Sequence, residues 1–169
     1  MKDAKEMYLW LTRKLNKKVN LITNGMLIND EWGENLVLGS EWIQISVNAA
    51  NEKTHELVNS GSKFKKVISS INTLLRLRRK FRTKTEIIFH YTIIPQNIRE
   101  IPKAIKLAEK LGCDEISYSY DPSVIQYLNR EKGLKELLRR QLPRFLESQT
   151  PRINMTKDRL YQLGLLSSV

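Results

Sequence analysis

Thr85-Glu86-Ile87-Ile88-Phe89-His90-Tyr91-Thr92-Ile93-Ile94 is the stretch on which the fold turns. Its β-branched and aromatic side chains favour a pleated strand, and Pro95-Gln96-Asn97 ends it. Before it, Phe64, Val67, Ile68, Ile71, Leu74 and Leu75 recur at the helical period, predicting a helix over 63–81 with Ser62 as N-cap. Arg76, Arg78, Arg79 and Lys80 fall in the last turns of that helix, where cations complement its dipole. After the strand, Asn97 and Glu100 have the spacing of a capping box, and Pro102 fits an opening turn. Ile101, Ile105, Ala108 and Leu111 form the buried stripe of that next helix, and Gly112 closes it. A further strand is predicted over Glu115–Tyr120. Strands joined by crossover helices run parallel, so the class is α/β.

The pattern extends toward the N-terminus. Residues 2–18 predict a helix with Ala4, Met7, Tyr8, Leu11 and Leu15 on one stripe. Val19–Thr23 predicts a short strand stopped by Asn24-Gly25, a dipeptide suited to positive φ. A short helix over 30–40, a strand over Trp42–Val47 and a helix over 52–59 capped by Asn51 follow. Beyond Asp121 the sequence predicts a helix over 123–141, a break at Pro143 and a short helix near 157–163. The division expected is a sheet-bearing unit over 1–121 and a helical extension over 122–169.

A chain of 169 residues is long enough to bury a core. No run approaches the roughly 18 apolar residues of a membrane span, and no apolar signal core follows the charged N-terminus, so a cytoplasmic protein without membrane partners is expected. The net charge of +11 favours non-specific contact with polyanions. Cys113 is the single cysteine, and His55 and His90 are the two histidines. One thiol makes no internal disulfide, and it does not supply the three or four thiolates of an iron–sulfur cluster. A structural zinc site is disfavoured for the same reason. Cys113 itself reads as a small, partly buried apolar side chain.

In parallel α/β folds, function sits at the carboxyl ends of the strands. Here those ends are Thr23-Asn24-Gly25, Ser46-Val47-Asn48, His90 through Asn97, and Ser117 through Asp121. Small polar side chains of this kind suit ribose hydroxyls and the amino-acid end of a nucleotide-like ligand, and equally suit loop capping.

The ordered series resembles one family. Val19-Asn20-Leu21-Ile22-Thr23-Asn24-Gly25 is similar to the third strand of a radical SAM barrel, and Ile43 through Ala50 to the fourth. Glu52 through Glu56, then Ser60-Gly61-Ser62-Lys63-Phe64, match that family's helix, glycine turn and Phe-led helix. Ile87 to Asn97, running into Glu100-Ile101-Pro102, resembles the fifth strand and its cap. Leu111 through Ile116 resembles the approach to the sixth. The likeness covers roughly residues 5–120.

The resemblance implies a partial TIM-type barrel of about four parallel strands with outer helices, here 19–23 at one edge and 115–120 at the other, with Ser46 and His90 on an open concave face. It implies S-adenosylmethionine as cofactor, with Thr23, Asn24, Ser46, Asn48 and His90 on its side. Asn48 stands where many members carry Asp, His90 where many carry Asn, and Asn59-Ser60 where many carry Arg. The three-cysteine motif that holds a four-iron four-sulfur cluster has no counterpart, so no catalytic or metal-binding residue is assigned. The expected function is that of a truncated or degenerate radical SAM-like domain, inactive alone and binding S-adenosylmethionine weakly. Its expected partner is a separate polypeptide carrying the missing N-terminal strands, or a second copy. The alternative expectation is a non-enzymatic basic α/β domain that binds nucleic acid non-specifically. A third, a doubly wound nucleotide binder, would need a glycine-rich phosphate loop after a strand, and none occurs.

Overall fold

The computed structural model describes residues 2–147, 154–155 and 157–166. Five strands form one parallel sheet in chain order: β1 (Leu21–Thr23), β2 (Trp42–Ser46), β3 (Glu86–Ile93), β4 (Glu115–Tyr120) and β5 (Asn154–Met155). The helices are α1 (Lys2–Leu9), α2 (Asp30–Gly39), α3 (Glu52–Val58), α4 (Phe64–Phe81), α5 (Ile101–Leu111), α6 (Ser123–Arg130), α7 (Lys132–Glu147) and α8 (Asp158–Gln162). Each of the first four strands is reached through at least one helix, which is why all pairings are parallel. The result is a partial TIM-type barrel.

The core lies between one face of the sheet and the helices. Ile43, Ile45, Ile87, Phe89, Tyr91, Ile93, Ile116 and Tyr118 alternate onto that face and are buried. They meet Val67, Ile71, Leu74 and Leu77 of α4 and Ile101, Ala104, Ile105 and Ala108 of α5 in one cluster. Gly25 (φ 75°) turns the chain away from β1, and its carbonyl accepts from the Ser70 hydroxyl of α4 at 2.7 Å. A side chain there would strain the backbone and press on Ile45.

Several local expectations are corrected. The first helix ends at Leu9 and widens into a π-type turn over Trp10–Lys14, and Asn16 then takes a left-handed φ of 50°. The segment 123–141 is two helices, and Pro143 lies inside α7 rather than breaking it. Buried Leu134, Leu138 and Leu142 tie α7 into the core, which holds the helix together where the sequence alone favoured a break. Ser62 caps no helix: Lys63 is the N-cap of α4, and the Ser62 hydroxyl bonds His55 Nε2 at 2.9 Å. The strand 115–120 is not an edge, because β5 pairs beside it from Glu115 to Ile116.

Candidate cofactor-binding face

On the sheet's other face, pairing register builds the site. Ser46 on β2, His90 on β3 and Ser117 on β4 stand in one row across three strands. One step further toward the carboxyl ends, Thr92 pairs with Ser119. The backbone N–H of Thr92 donates to Asn48 Oδ1 at 2.8 Å, so Asn48 completes that second row from just beyond β2. A patch of small hydroxyls around one imidazole results.

His90 is bound on both ring nitrogens, Nδ1 to the Ser117 hydroxyl at 2.8 Å and Nε2 to the Ser119 hydroxyl at 3.0 Å. Ser119 in turn donates to Thr92 Oγ1 at 3.1 Å. With its hydrogen spent there, Ser119 accepts from Nε2–H. Burial lowers the ring's pKa below the ordinary histidine value, which favours the neutral form, and in that form Nδ1 accepts from Ser117. Ser46 and His90 are half-buried and Ser117 is buried, so the face is less open than the sequence led one to expect. The hydroxyls and the imidazole shield one another.

The five residues expected on the cofactor side divide into two groups. Ser46 and His90 share the central row across β2 and β3. Thr23, Asn24 and Asn48 are engaged in shaping the backbone. Thr23 Oγ1 accepts from the Gly25 N–H at 3.1 Å, and Asn24 Oδ1 from the Met26 N–H at 3.1 Å, two local turns at the end of β1. Asn48 sits at φ 56°, a conformation that asparagine tolerates better than most side chains. Its Nδ2 donates to Asn59 Oδ1 at 2.9 Å, while Asn59 Nδ2 donates to the Val47 carbonyl at 3.0 Å. An aspartate at 48 would have no hydrogen to give Asn59. The amide at 48 and the amide at 59 are thus a matched pair.

Thr92, Ser117 and Ser119 lie within the strand ends that the sequence marked, but the sequence did not assign them to the cofactor side. Their alternation along β3 and β4 was legible, but the register that sets them around His90 was not.

A second network braces this end of the sheet. Asn97, fully buried, donates through Nδ2 to the carbonyls of Asn48 (2.9 Å) and Thr92 (2.8 Å), and its Oδ1 accepts from the Ile94 N–H (2.9 Å). Glu100 does not close a capping box with Asn97. Its carboxylate accepts from the Ala50 N–H at 3.0 Å and from the Asn51 and Thr54 side chains at the start of α3. An acidic group at a helix N-terminus meets free N–H groups and the positive end of the dipole, a stronger draw than its own helix offered.

Cys113 lies before β4, at the opposite end of the sheet from this patch, and is 2% exposed. Burial, with Asp114 beside it, pushes its thiol up to about 12. Among the described residues no group of three or more His, Cys, Asp or Glu side chains could hold a metal ion. A lone, buried, protonated thiol remote from the strand ends does not fit an iron–sulfur cluster. The row of hydroxyls does fit the ribose and amino-acid groups of a nucleoside cofactor. No helix among the described residues is long and apolar enough to cross a membrane.

The family model described as the radical SAM superfamily matches residues 2–108. No curated protein matches the chain. Among solved structures, "Native anSMEcpe with bound AdoMet and Cp18Cys peptide" is similar with a TM-score of 0.53 and 17% identity, over 90% of this chain and 45% of that one. A hexahistidine-tagged form of anSMEcpe with bound AdoMet gives a TM-score of 0.49 and 18% identity, over 69% and 31%. The chain thus spans less than half the length of these structures, and the likeness at such identity is one of fold.

Proposed function

From the premise that the chain belongs to the radical SAM superfamily, we propose that it supplies the S-adenosylmethionine side of such a barrel. The ribose and methionine groups would lie across Ser46, His90 and Ser117, with Thr23, Asn24 and Asn48 shaping the strand ends around them. The observation that carries this reading is the row of Ser46, His90 and Ser117, an uncharged donor–acceptor surface that crosses β2 at its carboxyl end and β3 and β4 at mid-strand. His90, held in one tautomer, would orient the two serines rather than transfer a proton. When a cluster is bound in this family, it supplies the electron that cleaves the sulfonium. This chain has no set of thiolates to hold one, so we assign it no radical chemistry of its own. It is, in this proposal, inactive alone, and a polypeptide segment bearing the remaining strands would complete the barrel.

Titration of the chain with S-adenosylmethionine, followed by backbone amide shifts, tests the reading. A dissociation constant of about 0.1–1 mM is expected, corresponding to about 4–5.5 kcal/mol. The shifts should map to Ser46, His90 and Ser117, and Ser46→Ala with His90→Phe should weaken binding at least tenfold. Absence of shifts at 10 mM cofactor, or shifts indifferent to both substitutions, would sink it. Anaerobic reconstitution with iron and sulfide should leave the chain without a four-iron cluster absorption band.

A further inference from the structure

His55 stands outside the row of hydroxyls, fully buried in α3. Its Nδ1 lies 2.7 Å from the carbonyl oxygen of Val47, the residue that follows β2. A carbonyl only accepts, so Nδ1 carries the hydrogen. Nε2 is then left to accept from the Ser62 hydroxyl at 2.9 Å, in the turn before α4. Burial lowers the pKa of the ring below the ordinary histidine value, which favours this neutral form. Asn59, at the C-terminus of α3, places its Nδ2 3.2 Å from Nδ1, a donor beside a donor, and gives its hydrogen to the Val47 carbonyl at 3.0 Å. One carbonyl therefore receives two donors from the α3 side. The N–H of Val47 meanwhile donates across the sheet to the His90 carbonyl at 3.0 Å. Val47 thus links α3 to the strand that carries the imidazole of the cofactor face.

We propose that His55 is a positioning residue for that face, acting through the Val47 carbonyl and never touching the ligand, a role that rests on the reading of the face as the S-adenosylmethionine side. The peptide whose carbonyl His55 holds also contains the N–H of Asn48, and Asn48 turns left-handed there with φ 56°. Such a conformation in a residue other than glycine persists only where its surroundings over-determine it. Here the preceding carbonyl is pinned by two donors, and the Asn48 side chain is aimed by that peptide at the Thr92 N–H, 2.8 Å away. Core filling alone does not account for an imidazole at 55. An apolar side chain of the same size would fill the space but leave Val47 with one donor and the Ser62 hydroxyl without this acceptor. The two ring nitrogens also have separate tasks: Nδ1 holds the end of β2, and Nε2 holds the turn before α4.

The test, on the whole chain, separates those tasks. His55→Asn sets an amide N–H near the Nδ1 position, within reach of Val47, whereas His55→Gln sets its amide near Nε2, within reach of Ser62. In the glutamine variant, amide exchange at Thr92 should quicken about tenfold more than exchange at Ala108 in α5, the effect of one hydrogen bond lost at a buried site. The dissociation constant for S-adenosylmethionine should rise by about the same factor. His55→Asn, and Ser62→Ala, which spares Val47, should leave both quantities within about twofold of the parent. A side chain that only filled the core would move Thr92 and Ala108 together and would favour the larger glutamine. Equal effects of asparagine and glutamine, or an effect of Ser62→Ala as large as that of glutamine, overturn the proposal. So does a proton–nitrogen correlation spectrum of the unaltered chain that puts the His55 hydrogen on Nε2, a measurement that needs no variant to fold. Absence of cofactor binding in the parent chain refutes the reading of the face and this role with it, whereas binding indifferent to His55→Gln refutes the role alone.

Discussion

Replacing Asn97 by alanine should be among the most costly single substitutions at the site end of the sheet. The side chain is fully buried and ties three backbone groups: the carbonyls of Asn48 and Thr92 and the N–H of Ile94. Alanine leaves all three without that partner, and each stranded group costs about 1 kcal/mol at the low end for partly buried positions. The sum is about 3 kcal/mol, a large share of the roughly 5–15 kcal/mol that holds a domain folded. For a chain of this size the melting temperature should fall by about 6–12 °C. Asn97→Asp sharpens the reasoning. It keeps the acceptor for Ile94 but turns an oxygen toward two carbonyls, so it should be at least as damaging as alanine. Urea unfolding followed by tryptophan fluorescence gives the free energies, and amide exchange at Thr92 and Ile94 localises the loss. A cost below about 1 kcal/mol for alanine, or an aspartate variant as stable as the parent, would refute the account.

Cys113 should resist iodoacetamide at pH 8 in the folded chain and react once urea unfolds it, because burial raises its thiol to about 12; alkylation at the rate of a free thiol would contradict this. Burial lowers the pKa of both His55 and His90 from 6.5, so their stabilising contribution is present above that value and is lost as pH falls below it toward the folded-state values. Urea midpoints should therefore drop on going from pH 7 to pH 5.5, and drop less in a His90→Gln variant. Lys65, Ser69, Asn72, Arg76 and Arg79 follow one another along α4, but Lys65 is paired with Glu52 and Arg76 with Asp30. Any duplex DNA binding through such a face should be indifferent to sequence and weaken about 10²-fold between 50 and 200 mM salt, for about four phosphate contacts; a sequence preference at physiological salt would argue for a dedicated site.

The class of the fold was legible because it depends on local periodicity. Residues 64–81 and 86–93 carry patterns that no long-range contact needs to supply, and the order of such segments dictates parallel pairing. The single cysteine was likewise legible, as a small side chain before a strand rather than part of a clustered motif. Where two side chains competed for one role, sequence reasoning went wrong. Asn97 and Glu100 had the right spacing to cap each other, yet Asn97 satisfies the strand ends and Glu100 satisfies α3. Ser62 had the right position for a cap and serves His55 instead. Pro143 remains helical because the leucines around it are buried against the rest of the molecule.

The candidate site shows the same division. Ser46 and His90 stood in segments toward the carboxyl ends of strands, where parallel α/β folds place their ligands, so the sequence brought them forward as candidates. That Ser117 and Ser119 hold the imidazole, and that Thr92 receives the spare hydrogen, depended on the register between β3 and β4. Register is decided by the summed packing of whole strands against helices, and a shift by one residue would turn every one of these side chains to the other face. The fifth strand was beyond local reading for a related reason. Two residues, Asn154 and Met155, have too little pattern to announce a strand, and they become one because β4 offers them an edge.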